Sequence, residues 1–296
     1  MRLAVTGRQG QVVQSLIERG PLRGHQIITL GRPDLDLARP ETISAALAQA
    51  RPDVIVSAAA YTAVDQAETD RDMAFAVNAA GASAVAEAAQ AMGVPLIHLS
   101  TDYVFSGTKL HPYAEGDPTG PSSVYGASKL AGELAVLAAH GANTAVLRTA
   151  WVYSPFGANF MKTMLRLAAD RDELGVVADQ YGNPTSALDI ADGILRVAEQ
   201  LRDDPAPDRR GLFHMTAAGE GSWADFAAAI FAATARLNGP SARVRKIATA
   251  QYPTAASRPV NSRLDCRKLE LVHGVSLPDW RTSTDQVVAR LLTATD

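Results

Sequence analysis

Tyr125 and Lys129 are the residues of this sequence whose types and spacing could most directly do chemistry. They stand four positions apart, so a helix would carry both side chains on one face. A phenol with a pKa of about 10 is a poor acid at neutral pH, and a neighbouring ammonium lowers that pKa by favouring the phenolate. We therefore predict that Tyr125 is a general acid toward a carbonyl oxygen and that Lys129 lowers the pKa of Tyr125.

A hydroxyl group is expected beside this pair to hold the same carbonyl oxygen. Ser100, Thr101 and Asp102 end a strand-like run just upstream and supply such a group. The Tyr-x-x-x-Lys spacing alone is weak evidence, because it also occurs on solvated helix faces. The order along the chain strengthens the interpretation: a glycine-rich turn comes first, then the strand ending in Ser-Thr, then the pair.

The glycine-rich turn lies at the start of the chain, between a predicted buried strand at residues 3–7 and a helix that begins near Gln11. Glycines at positions 7 and 10 let the backbone approach a pyrophosphate, which then lies at the helix N-terminus. The third glycine usual in such turns is replaced by Val13, and we expect this helix to lie slightly further from the strand.

The second predicted strand, at residues 26–30, ends at Gly31 and Arg32. In a dinucleotide-binding fold, the residues at this point contact the adenosine ribose. An acidic residue there favours NAD, whereas an Arg binds the 2′-phosphate of NADP. Arg32 thus favours NADPH, although an ordinary surface arginine explains it equally well.

The remaining pattern alternates strands with helices up to residue 150, which predicts a parallel, doubly wound α/β sheet of the Rossmann type. We expect residues 1–150 to bind the dinucleotide. Residues 151–296 are expected to form mainly a smaller C-terminal substrate-binding lobe, with segments that return to the first domain. The predicted segments include a turn and strand at 34–37, a helix at 40–50, a strand at 53–57, a loop at 62–68, a helix at 70–92, a strand at 95–99, the Tyr125 helix at 125–139, a strand at 145–149, helices at 159–169, 187–201 and 223–237, and a polar turn at 179–185.

The bulk composition excludes several classes of partner. The 296 residues are 47% hydrophobic and 20% charged, with a formal net charge of −3 and no basic block. This argues against nucleic acid or an anionic membrane as the main partner. We see no signal peptide and no apolar run that approaches a membrane span. The single cysteine, Cys266, is interpreted as a semi-buried apolar residue and suits a reducing cytoplasm, where we expect the protein to be.

Over nearly its whole length the chain resembles the dTDP-4-dehydrorhamnose reductase family, an extended branch of the short-chain dehydrogenases/reductases. The resemblance is carried by short motifs along both halves, some of them specific to this family. They are Gly7-x-x-Gly10-Gln11, Ala58-Ala59-Ala60-Tyr61-Thr62-Ala63-Val64-Asp65-x-Ala67-Glu68, Asn78, Ser100-Thr101-Asp102-Tyr103-Val104-Phe105, Tyr125-Gly126-x-x-Lys129, Arg148-Thr149-x-Trp151-Val152-Tyr153, Gln180-x-Gly182-x-Pro184-Thr185, Ser222-Trp223-x-x-Phe226 and Arg258-Pro259-x-Asn261-Ser262.

The resemblance implies reduction of the C4 ketone of dTDP-4-dehydro-β-L-rhamnose to dTDP-L-rhamnose by NADPH or NADH. Tyr125 would donate the proton, Lys129 would hold the nicotinamide ribose and Thr101 would hydrogen-bond the ketone oxygen. The other cofactor residues implied are Gly7, Gly10, Gln11, Val12, Arg32, Asp36, Leu37, Ala58, Ala59, Ala60, Tyr61, Asn78 and Ser100. The other substrate residues implied are Thr62, Val64, Asp65, Asp102, Tyr103, Trp151, Asn183 and Arg258. Trp151 is expected to pack against the sugar, with a simple core aromatic as the alternative.

Two rival functions stay open at this level. One is another sugar-nucleotide enzyme of the same branch, such as an epimerase or dehydratase. The other is a non-catalytic regulatory subunit, like the family relative that accompanies methionine adenosyltransferase. Some relatives dimerise around magnesium, so Mg²⁺ and a homodimer enter by family analogy only. No motif in this sequence identifies metal ligands, and we assign none.

Overall fold

The computed structural model describes residues 1–293, and its centre is a six-stranded parallel sheet. Five of its strands come in order from the first half of the chain, and the sixth, at one edge, comes from the second half. The strands of this sheet are β1 (Arg2–Thr6), β2 (Gln26–Leu30), β3 (Val54–Ser57), β4 (Leu96–Thr101), β5 (Thr144–Thr149) and β10 (Gly211–His214). The strands β6 to β9, which come between β5 and β10 in the chain, belong to other sheets and are given below. Their order across the sheet is β10-β5-β4-β3-β1-β2, which confirms the predicted doubly wound Rossmann architecture.

Helices cover both faces of this sheet because its strands are apolar on both faces. Successive side chains of a strand point to opposite sides. Leu3 and Val5 accordingly join one buried cluster and Ala4 joins the other. The helices of the first half are α1 (Gln11–Leu22), α2 (Ile43–Ala50), α3 (Val64–Ala67), α4 (Arg71–Phe75), α5 (Ala82–Met92) and α6 (Val124–His140). The first cluster lies under α1 and a later helix, α8 (Ala187–Asp203), and the second lies under α2, α5 and α6.

The second half builds a smaller lobe at the carboxyl edge of the sheet and also returns to the sheet itself. Its strands are β6 (Val152–Tyr153), β7 (Glu173–Val177), β8 (Tyr181–Gly182), β9 (Thr185–Ser186), β11 (Ala217–Ala218), β12 (Gly221–Ser222), β13 (Arg243–Ile247) and β14 (Leu277–Asp279). Its helices are α7 (Phe160–Ala168), α8 (Ala187–Asp203), α9 (Trp223–Ala235), α10 (Arg267–His273) and α11 (Trp280–Thr293). A core that includes Tyr153, Phe226 and Trp280 holds this lobe together, whereas α8 packs on α1.

Several predicted boundaries were wrong in the loops that follow the strands. Residues 34–37 form turns and no strand, because the N–H of Leu35 bonds locally to the carbonyl of Gly31 and that of Asp36 bonds to Thr42. The loop predicted at 62–68 contains α3, and the polar turn predicted at 179–185 contains β8 and part of β9.

The helix predicted over residues 70–92 is divided by a π-helical segment, Ala76–Gly81, which lies between α4 and α5. The backbone of α6 approaches this segment closely. A Cβ added at Gly132 of α6 would lie 2.0 Å from the carbonyl oxygen of Asn78, so only glycine fits there. The Asn78 side chain, in turn, bonds to the backbone of Tyr61 and to Ser128 of α6. This contact fixes the loop after β3 against the helix that carries Tyr125.

No helix within residues 1–293 combines the length and the apolar character that crossing a membrane requires.

Candidate active site

The glycine turn after β1 forms a backbone cradle at the N-terminus of α1. Gly7 has a φ of +99°, a conformation that favours glycine, and a Cβ there would lie 3.3 Å from Ala59. Gly10 caps α1 without any side-chain hydrogen bond. The first N–H groups of a helix lack intrahelical partners, so this end of α1 offers donors to an anion. The cradle therefore fits the pyrophosphate of a dinucleotide.

Thr6 joins the ends of two strands beside this cradle. Its hydroxyl accepts hydrogen bonds from the N–H groups of Ala58 and Ala59, each at 3.0 Å. These small residues follow β3, which pairs with β1, and leave space above the carboxyl ends of both strands. Cofactors of open α/β sheets lie at this edge.

A cavity of about 580 Å³, here called the central cavity, opens at this edge. It brings together most of the predicted site residues: Gly7, Gly10, Gln11, Val12, Ala58, Ala59, Ala60, Thr62, Val64, Ser100, Thr101, Asp102, Tyr103, Tyr125, Lys129 and Trp151. It is also lined by residues that the sequence did not single out as site residues: Gln9, Val13, Leu99, Thr149, Ala150, Val152, Gly157, Ala158 and Trp223. Thr149 and Ala150 could have been found, because β5 was predicted and its carboxyl end must lie at the same edge as that of β4.

The first turn of α6 carries Tyr125 into the central cavity. The helix begins after Ser123, whose hydroxyl accepts the N–H of Gly126 at 3.1 Å. A Cβ on Gly126 would lie 2.2 Å from the carbonyl oxygen of Tyr103, so the helix start packs directly on the segment after β4. The rings of Tyr103 and Tyr125 meet edge to face at 5.5 Å. This packing holds the Tyr125 phenol beside Thr101.

Lys129 is buried one turn further along α6 and donates to the carbonyl of Leu99 at 2.7 Å. Burial lowers the pKa of Lys129 to about 8, with a smaller opposing effect from Glu133. Burial also raises the pKa of the Tyr125 phenol well above its usual value, opposed by hydrogen bonding with Thr101. Lys129 is not among the groups of the described chain that shift the Tyr125 pKa, so the lowering of that pKa by Lys129 stays a prediction. The phenol is protonated at neutral pH.

Two buried hydroxyl groups at the floor of the cavity have no hydrogen-bond partner within residues 1–293. They belong to Ser100 and Thr149, near the ends of the neighbouring strands β4 and β5. Buried polar groups normally find partners. Unpartnered hydroxyls that line a cavity fit a polar ligand there, such as the ribose and carboxamide of a nicotinamide nucleotide.

Several predicted cofactor residues do not line the central cavity. Arg32 is exposed after β2, and Asp36 accepts the N–H of Ala38 within its own turn. Leu37 is buried in the core under α5. Tyr61 and Asn78 bond to each other at the side of the cavity, so their observed contacts position the loop after β3.

A second cavity of about 770 Å³, here called the adjoining cavity, shares Val64, Tyr103 and Trp223 with the central cavity. Three arginines, Arg171, Arg245 and Arg258, line its walls together with Asp65. Arg258 donates to Asp65 at 2.6 Å, and Asp65 also accepts the N–H of Ala256. Asn183 lies elsewhere: it bonds to Gly219 and Leu264 and lines a different cavity, so we do not retain it as a substrate residue.

Two stacked indole rings form the wall between the two lobes. Trp151 and Trp223 are nearly parallel, with centroids 3.6 Å apart. Trp151 has a φ of +48°, which is costly for a bulky residue. Such strained backbone is often found at ligand sites. Trp151 is thus a lining residue of the central cavity rather than a simple core aromatic.

The chain is similar to known proteins over nearly its whole length, in sequence and in structure. A family model described as "RmlD substrate binding domain" matches residues 1–293. A dTDP-4-dehydrorhamnose reductase of Sinorhizobium fredii (strain NBRC 101917 / NGR234) is 52% identical over 293 residues, which cover 99% of this chain and 98% of that protein.

Two solved structures are also similar over nearly the whole chain. A dTDP-4-dehydrorhamnose reductase of Clostridium acetobutylicum superposes with a TM-score of 0.91 at 36% identity, covering 99% of this chain and 100% of that one. The dTDP-4-dehydrorhamnose reductase of Bacillus anthracis, in complex with NADP, superposes with a TM-score of 0.89 at 35% identity, covering 98% and 99%.

Proposed function

The chain belongs to the RmlD substrate binding domain family, and from this premise we propose that it reduces the C4 ketone of dTDP-4-dehydro-β-L-rhamnose to dTDP-L-rhamnose. This reaction is the last step of dTDP-rhamnose formation. The observation that carries the proposal is the meeting of Thr101, Tyr125 and Lys129 in one cavity with the glycine cradle of α1. A hydride donor held on the cradle and a proton donor on α6 would then face one carbonyl group.

We assign the proton transfer to the three side chains at the cavity floor. NADPH or NADH supplies the hydride when bound. Tyr125, protonated at neutral pH, donates its proton to the ketone oxygen as that oxygen gains negative charge. Thr101 donates a hydrogen bond to the same oxygen, and Lys129 holds the nicotinamide ribose. Holding these groups in place supplies much of the rate enhancement.

We assign the rest of the central cavity to the two ligands. The N-terminus of α1, with Gly7, Gly10, Gln11 and Val12, would hold the pyrophosphate. The small residues 58–60 and the Ser100 hydroxyl would border the cofactor, and Arg32 would meet the 2′-phosphate of NADPH. Thr62, Val64, Asp102, Tyr103 and Trp151 would contact the sugar. Residues 1–150 are thus the proposed dinucleotide-binding domain and residues 151–296 mainly the substrate lobe.

We assign the nucleotide diphosphate of the substrate to the adjoining cavity. Its three arginines are the cations of that wall, and guanidinium groups suit phosphate oxygens. When substrate binds, Arg258 would release its hydrogen bond to Asp65 and bind the diphosphate instead. A small-molecule dTDP-sugar is then the partner, and nucleic acid is not. A cytoplasmic location and a homodimer stay predictions. No group of three or more His, Cys, Asp or Glu within residues 1–293 could hold a metal ion, and we assign no Mg²⁺ ligand.

The test is the loss of NADPH and NADH absorbance with freshly prepared dTDP-4-dehydrorhamnose. A reductase consumes one cofactor for each ketone reduced. An epimerase returns the hydride and shows no net change, whereas a regulatory subunit binds the cofactor without turnover. Intact cofactor binding without oxidation would reject the proposed function. Faster reduction of another nucleotide-linked 4-ketosugar would keep the reaction type and change only the substrate.

A further inference from the structure

Thr101 has one hydroxyl proton, and this proton is already engaged in the structure. Its Oγ1 donates to Oδ1 of Asp102 at 2.8 Å and accepts the N–H of Tyr103 at 3.3 Å. An ionised carboxylate can only accept hydrogen bonds, and so can a ketone oxygen. The Thr101 proton therefore cannot serve an ionised Asp102 and the substrate oxygen at the same time.

Asp102 is placed so that its charged form is disfavoured. It is 3% exposed, and its Oδ2 makes no hydrogen bond of ordinary geometry in the described chain, although the Ser262 hydroxyl lies close enough to lower its pKa. Burial raises the pKa of this carboxyl group to about 6, against weaker opposing effects from Ser262, Thr101 and nearby backbone groups. A buried carboxylate that lost its bond from Thr101 would be further destabilised.

No cation opposes this effect among the groups of the described chain that shift the Asp102 pKa. The titratable groups that face it are the phenols of Tyr103 and Tyr125, whose pKa values it raises in turn. Lys129 lies further along α6, and the Asp65–Arg258 pair acts mainly on Tyr103. Protonation of Asp102 therefore has the lowest free-energy cost among the ways to free the Thr101 hydroxyl proton.

We propose that Asp102 is a positioning residue that stays protonated in the substrate complex, donates a hydrogen bond to Thr101, and so turns the Thr101 hydroxyl toward the substrate ketone oxygen. This inference rests on the proposed function. At neutral pH Asp102 takes up its proton when substrate binds, and it neither gains nor loses a proton during the hydride and proton transfers. The hydride and the Tyr125 proton together account for the two hydrogens of the product alcohol.

The proposal sets the sign of the pH dependence. The active form carries the proton, so kcat/KM is highest at low pH and falls as pH rises through the pKa of Asp102. Asn at this position has an amide that donates and does not titrate. Asp102→Asn should therefore keep most of the low-pH activity and lose the fall near pH 6, while the fall through the Lys129 pKa of about 8 remains.

The experiment measures kcat/KM between about pH 5 and pH 9 for the wild type, Asp102→Asn, Thr101→Ser, Thr101→Val and the Thr101→Val/Asp102→Asn double variant. Thr101→Ser should keep the wild-type fall. Thr101→Val should lose roughly 10²-fold, as expected for removal of one oxyanion donor. The Asp102→Asn change should have no further effect on that background. An Asp102→Asn profile that still falls near pH 6, the pKa of Asp102, or additive losses in the double variant, would overturn the proposal.

A second readout does not depend on turnover. Infrared difference spectra of the enzyme with NADP⁺ and dTDP-L-rhamnose at neutral pH should contain a carboxylic acid carbonyl band that Asp102→Asn removes and Thr101→Val shifts. Absence of that band would also overturn the proposal. If the wild type oxidises no cofactor with any 4-ketosugar, the proposed function fails instead, and the spectra of the complex with dTDP-L-rhamnose still decide whether Asp102 is protonated beside a bound sugar.

Discussion

Tyr125 is protonated at neutral pH, but its raised pKa makes it a weaker acid than a free phenol. Burial raises its pKa, and the same burial lowers the pKa of Lys129 to about 8. The Lys129 charge is therefore present at neutral pH and is lost as pH rises through that value. In this buried site of low dielectric, the attraction between the charged Lys129 ammonium and a phenolate forming on Tyr125 is stronger than it would be in water. These two residues thus act as a unit mainly below the pKa of Lys129.

Tyr125→Phe removes the proton donor and keeps the ring. We expect kcat to fall by roughly 10²–10⁴-fold, the usual contribution of a general acid, with NADPH affinity nearly unchanged. Stopped-flow absorbance and a cofactor fluorescence titration measure the two quantities. Tyr181→Phe, at a tyrosine that is 42% exposed, is the matched control and should retain full activity. Wild-type kcat in Tyr125→Phe would remove Tyr125 from the mechanism.

Arg32 is the residue that would distinguish NADPH from NADH. Only NADPH carries a 2′-phosphate, so Arg32→Ala should weaken NADPH binding and leave NADH binding unchanged. Fluorescence titration with both cofactors checks this. Arg39→Ala, at an exposed arginine paired with Glu41 in the following loop, is the control for a general loss of positive charge. Equal losses for NADPH and NADH would show that Arg32 does not read the phosphate.

Among the elements, α6 is held in place by two close backbone contacts in addition to buried side chains such as Val136 and Glu133. Gly126 packs on the carbonyl of Tyr103, and Gly132 packs on the carbonyl of Asn78. The first contact brings the start of α6, which carries Tyr125, close to the segment after β4. The second brings the middle of α6 against the π-helical segment. Both contacts depend on the absence of a Cβ atom.

Gly132→Ala should therefore push α6 away from the π-helical segment. Overpacking of this kind costs about 1–3 kcal/mol, and the tilt should also lower kcat by displacing Tyr125. Thermal unfolding and steady-state kinetics measure the two effects. Leu134→Ala, at a leucine on the same helix that is 63% exposed, is the control and should change stability by at most about 0.5 kcal/mol. Unchanged stability of Gly132→Ala would show that the contact tolerates a methyl group.

The main elements could be predicted because strands buried on both faces are continuous apolar runs, as in β1 and β5. The loops could not be predicted, because their conformation depends on contacts with residues that are far away in the sequence. Leu35 and Leu37 look like strand residues but face the core from a turn. At the site, Thr101 and Tyr125 were recognisable from type and order. The burial that sets the Tyr125 pKa, and the stacking of Trp223 on Trp151 across the lobes, are long-range properties that no local pattern contains.

At the scale of the whole molecule, the central and adjoining cavities lie where the two halves of the chain meet. Asp65 comes from α3 in the first half, and Arg258 comes from a loop of the second half. Trp223 at the start of α9 reaches both cavities. A substrate that spans both cavities would contact both halves, so its binding should depend on residues that never touch the cofactor.

Arg258→Gln should raise the KM for the dTDP-sugar and leave NADPH affinity unchanged. Loss of one charge-assisted hydrogen bond corresponds to roughly a 10–100-fold increase. Initial rates at varied substrate and a separate NADPH titration give the two constants. Arg236→Gln changes an exposed arginine of the second lobe that is paired with Asp285, and it should leave both constants unchanged. A KM equal to the wild type would place the diphosphate elsewhere.

The edge strand β10 has a consequence for how the chain is made. It pairs with β5, and α8 covers α1, yet both are translated long after the five strands they complete. A nascent chain that ends near β5 therefore exposes the β5 edge that β10 later covers and the apolar surface that α8 later covers. Unpaired edges and exposed apolar surfaces favour aggregation. During synthesis, the cofactor half of this protein should depend on chaperones until His214 has emerged from the exit tunnel.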